Sequence, residues 1–92
     1  MKNITITKND EQAKCSFAGR MTEALNARDA AKKVINRSEI PEMFEPEYYL
    51  GTDTLAQAQR DFHNGNYDTG KLDMAINIFT KITTDLINRE EA

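Results

Sequence analysis

The chain has 92 residues, 39% of them apolar and 29% charged, which is the size and make-up of one small globular domain spanning 1–92. A formal net charge of −3 argues against a protein held to phosphates by many cations. No apolar run approaches the ~20 residues of a membrane span, and the opening MKNITITKND lacks the apolar stretch and cleavage site of a secretory signal, so a cytoplasmic protein is expected.

The charge is unevenly placed. Residues 1–38 hold eight Lys/Arg against four Asp/Glu, a balance of +4, and residues 39–92 hold four against eleven, a balance of −7. Such a split fits an internal charge match, a dimer contact between unlike patches, or an acidic face for a basic partner.

In chain order, Ile4 and Ile6 alternate with Thr5 and Thr7, and Ala13, Cys15 and Phe17 alternate with Lys14 and Ser16. The polar run Lys8–Gln12 lies between them. Alternation at period two predicts a β-hairpin, about 3–7 with 13–18. The single cysteine, Cys15, has no partner for an internal disulfide and is expected as a buried, inert thiol. Residues 20–25 suit either strand or helix.

A helix is predicted from near Asn26, a favoured N-cap, with Ala27, Ala30, Ala31, Val34 and Ile35 on one face; a start at Met21 fits equally. Pro41 ends it. The connector SEIPEMFEPEYYLGTD has two prolines, and Tyr48–Leu50 is compatible with a third short strand. A second helix is expected over about 53–63, stopped by Asn64-Gly65.

The last helix, Thr69–Arg89, is the strongest feature. Leu72, Ala75, Ile76, Phe79, Ile82, Leu86 and Ile87 share one side, and Met74 and Ile78 widen it. The apolar arc covers roughly 220°, more than a surface helix needs. It should therefore pack on two sides, within the chain or against a second copy. The expected fold is α+β: an N-terminal hairpin on three helices, the C-terminal one central.

Chemistry-bearing motifs are scarce. One His and one Cys cannot make a zinc shell. No Gly-rich phosphate loop or calcium spacing occurs. His63, near a helix end, reads as a capping or solvent-facing residue. No enzyme, cofactor or metal is expected. Arg20, Arg28, Lys32, Lys33 and Arg37 are spread widely around the first helix, as on a solvated amphipathic helix; a DNA-binding regulator using Arg28, Lys32 and Arg37 is a minor alternative.

The acids are more suggestive. Glu39, Glu42, Glu45, Glu47 and Asp53, continuing to Asp61, have Tyr48 and Tyr49 among them. Such a strip suits a partner protein with a basic surface, a nuclease or DNA-binding protein, and in its sharpest form is a nucleic-acid mimic that acts as an inhibitor. The alternative is a small structural or assembly subunit, a homodimer formed through Met74, Ile78 and Ile82.

Phe62-x-x-Gly65-x-Tyr67 resembles the turn of a tetratricopeptide helix pair over that one turn. Gly70 stands where that family usually has alanine and no second copy follows, so membership is not assigned. In size, acidity and absence of motifs the chain is similar to small accessory proteins of phages and mobile elements.

Overall fold

The computed structural model describes the backbone of residues 2–39 and 41–91, and the side chains of 11–39 and 41–89. Three α-helices make up the fold: α1, Lys2–Arg37; α2, Glu45–His63; and α3, Gly70–Glu91. A short 3-10 turn, Pro41–Met43, joins α1 to α2. Among the described residues there is no strand.

The expected α+β class is therefore corrected to all-α. Residues 3–7 and 13–18 lie within α1, and Tyr48–Leu50 lies within α2. Phe17, Ala24 and Ala31 are buried at a strict spacing of seven, followed by Ile35, which is a helical period. In a strand, Ala13, Cys15 and Phe17 would share one face. In the helix Cys15 is turned about 160° away from Phe17, and it is exposed rather than buried.

The second helix also begins earlier than expected, because Pro46 sits in its first turn, where the missing N–H has no helical partner in any case. Asn26, expected as a cap, is an exposed residue inside α1. The stop after α2 matches the sequence reading: Asn64 is the C-cap and Gly65 has φ +92°.

The third helix is the shared element. It packs along both α1 and α2, whereas α1 and α2 approach one another much less. Its Leu72, Ala75, Phe79 and Ile82 are fully buried, so the centre of the apolar arc is consumed inside the chain, while Met74 and Ile87 at its margins stay exposed. Heights along the bundle follow from side-chain contacts. Arg20 of α1 meets Asp73 of α3 (Nε to Oδ1, 2.5 Å), Phe17 stacks on Phe62 of α2 at 4.7 Å, and Arg89 of α3 lies 5.7 Å over Phe44 ahead of α2. Thus α1 and α3 run parallel and α2 runs against both. With 36 residues, α1 is about 54 Å long, close to the 60 Å extent of the molecule.

Candidate functional site

The acidic strip starts where α1 ends. Glu39, Glu42, Glu45 and Glu47 are all exposed, and among the described residues none of them enters an ion pair. Glu45 and Glu47 stand in the first turn of α2, where the unsatisfied N–H groups favour negative charge. They point about 160° apart around the helix axis, so the carboxylates surround this end of α2 rather than line it.

Asp53 lies two turns on, exposed, and its carboxylate accepts a hydrogen bond from Gln57 Nε2 at 3.1 Å. Asp61 does not join the group. It is near the opposite end of α2 and is paired with Lys71 Nζ at 2.6 Å.

The two tyrosines have different fates. Tyr49 is 64% exposed. Tyr48 is half-buried, its ring 5.7 Å from that of Phe79, and serves the core. Two neighbours that the sequence reading did not single out complete the group: Met43 and Leu50, 54% and 57% exposed. Among the described residues, Ile87 near the C-terminal end of α3 is a further large apolar side chain left partly open.

The expected oligomer residues are separated by the fold. Met74 is 57% exposed. Ile78 is partly buried against the core, and Ile82 is fully buried. Physically, α2 covers α3 around Ile78, against which the backbone at Gly51 lies, and leaves Met74 outside the contact.

The basic residues of α1 are likewise divided. Arg20 is held by Asp73 and Glu23; its guanidinium is raised above its ordinary value, chiefly by the hydrogen bond to Asp73 and then by that to Glu23. Arg28 lies 3.5 Å from Asp29, while Lys32, Lys33 and Arg37 are exposed. His63 is exposed in the last turn of α2.

Two surface cavities open between α1 and α2. One, of about 420 Å³, is lined by Phe17, Ala18, Met21, Gln59, Phe62 and His63. The other, of about 140 Å³, is lined by Lys32, Ile35, Asn36, Glu45, Tyr48 and Tyr49. Among the described residues, no three His, Cys, Asp or Glu side chains stand together to hold a metal ion, and no helix is long and apolar enough to cross a membrane.

No protein-family model matches the chain, and no curated protein or solved structure does so either. The functional reading therefore rests on the surface itself.

Proposed function

We propose that this is a non-enzymatic binding protein whose working surface is the end of the bundle around the start of α2. What supports this reading is one coincidence. Met43, Leu50 and Tyr49 are large apolar side chains left open to water, and their sequence neighbours are four exposed carboxylates that, among the described residues, enter no ion pair. Exposed apolar groups rimmed by charge mark protein contact sites. The sign of the rim selects a basic partner and hastens encounter with it.

A cytoplasmic nuclease or DNA-binding protein has such a site, and occupying it would inhibit that partner. The apolar centre favours a basic pocket with a greasy floor over a surface that reads only phosphates. Asp61, paired with Lys71 at the far end, is not part of it.

The test compares capture from lysate by the wild-type protein and by the Glu42→Gln, Glu45→Gln, Glu47→Gln triple variant, followed by salt titration. The triple variant should lose at least about tenfold in affinity and show a flatter salt dependence. Equal affinity at every salt concentration would reject the acidic surface. Competition with duplex DNA separates the two forms of the idea: a mimic is displaced by DNA, and a partner engaged elsewhere is not.

A further inference from the structure

Two of the three seams in the bundle are closed by α3; the third, between α1 and α2, is the loosest, joined at one end by the Phe17–Phe62 stack. Both cavities lie along it, one at each end. Along this seam, from one cavity to the other, the two helices present residues at alternating spacings of three and four. On α1 these are Ala18, Met21, Leu25, Arg28 and Lys32; on α2 they are Glu45, Tyr49, Thr52, Ala56 and Gln59. That spacing keeps one stripe of each helix facing a common neighbour. The middle of the face is small or apolar, with Leu25 half-buried against the core, while one end carries opposite charges on the two helices.

We propose that this face is covered by a second copy of the chain, related by a two-fold axis parallel to the helices. The operation sets α1 of one protomer against α2 of its partner, antiparallel and at the same height. Heights within one chain then fix the contacts across the axis. Lys32 lines the same cavity as Glu45 and Tyr49, so it meets the partner's Glu45. Gln59 Nε2 approaches Met21 Sδ at 4.0 Å, so Met21 meets the partner's Gln59. Arg28 falls near Asp53 of the partner subunit.

Charge decides the occupant and its orientation. On these stripes α1 carries Lys32 and Arg28, the latter 3.5 Å from Asp29, and α2 carries Glu45 with Asp53 beside the stripe, so the charged end of the face is complementary to itself under this axis. A two-fold axis across the helices would instead lay the basic edges of both α1 helices together. The 19 residues of α2 span about 28 Å and two helices about 20 Å, a footprint of roughly 500 Å² per protomer. That is less than the ~800 Å² per partner of a standard interface, the size of a weak, reversible contact. Its axis also places Glu39, Glu42 and Glu47 of both copies at the same end, free of the interface. The proposal rests on other observations than the partner-binding reading, but Glu45 and Tyr49 belong to both surfaces: the dimer covers these two and leaves Met43, Leu50, Glu39, Glu42 and Glu47 to a partner.

Sedimentation equilibrium in reductant, from about 1 to about 300 µM, reads the association directly. Lys32→Glu and Glu45→Lys should each weaken it at least about tenfold. An equimolar mixture of these two variants should recover to within about threefold of wild type. In the mixed pair both crossed contacts are attractive, whereas each chain alone keeps its own mismatch, so repair within a chain cannot produce the recovery. Circular dichroism of each variant must match wild type, which both exposed positions allow. A strict monomer at the highest concentration overturns the proposal and leaves the seam to another protein's helix. A mixture of folded variants that stays monomeric overturns it too. So does a dimer indifferent to Lys32→Glu but lost in Met74→Glu, which would assign association to the α2–α3 side.

Discussion

Gly51 of α2 lies directly against the ring of Phe79 in α3: a Cβ added at Gly51 would stand 2.7 Å from Cε1 and 2.8 Å from Cζ. The absence of a side chain is what lets the two helices approach at this height. Phe79 is fully buried. In an exposed helix, Gly→Ala would stabilise by about 1 kcal/mol. Here overpacking costs about 1–3 kcal/mol and opposes that gain. Gly51→Ala should therefore give no stabilisation and should lower stability by up to about 2 kcal/mol in urea unfolding. In a Phe79→Leu background the same change should cost much less, because the two sites share one contact.

At Gly65 the requirement is backbone alone. Its φ of +92° lies where other residues are strained, and nothing stands within 4 Å of an added Cβ. Gly65→Ala should cost about 1 kcal/mol, and Gly65→Asn less, since Asn tolerates positive φ better. Thermal melts of the two variants separate this from packing: equal losses would mean that the loop has another conformation.

How much of this was legible in the sequence varied from helix to helix. The last helix was expected over Thr69–Arg89 and spans Gly70–Glu91, because its apolar period is long and unbroken. The N-terminal half of α1 was misread because Ala13, Cys15 and Phe17 alternate over too few residues to distinguish a period of 2 from one of 3.6; the repeat at Phe17, Ala24 and Ala31 carries the helix instead. The start of α2 was hidden by Pro46, which blocks a helix interior but suits a first turn. At the candidate site, the exposed Glu39, Glu42, Glu45 and Glu47 could be named from composition. The pairing of Asp61 with Lys71 and the burial of Ile82 could not, because both depend on which flank of α3 meets α2.

Met43 and Leu50 are exposed apolar residues with little to contribute to the core. Changing both to Ser should shift unfolding free energy by no more than about 0.5 kcal/mol each. If they belong to a binding surface, the same double change should reduce partner affinity while leaving its salt dependence as it was. A large loss of stability would show instead that they pack within the fold.

The pair between Arg20 and Asp73 bears on pH. A base whose folded value is raised contributes stability that is complete below its unfolded value and is lost only as pH rises through the folded one. For the Arg20 guanidinium both values lie far into the alkaline range. Titration of Arg20 should therefore add no slope to stability between about pH 6 and 9. Arg20→Gln should lower the melting temperature equally at both ends of that range. Unequal losses would mean that Arg20 is coupled to a group titrating within it.

Cys15 offers the sharpest check on the helix that replaced the expected hairpin. In that hairpin Cys15 and Phe17 would point to the same face, and a thiol beside buried Phe17 would be shielded. On α1 the two side chains diverge, Phe17 is 3% exposed and Cys15 is exposed. Native protein should therefore react with a thiol-specific disulfide reagent at one equivalent per chain. Its rate should fall within about threefold of that in denaturant, since thiolate access controls the reaction. Protection by a hundredfold or so, the mark of a thiol that reacts only through opening, would contradict the packing of α1 described above. Phe17→Ala gives the complementary result: it should cost about 3–5 kcal/mol by removing the ring stacked on Phe62, yet leave the Cys15 rate of the folded fraction unchanged.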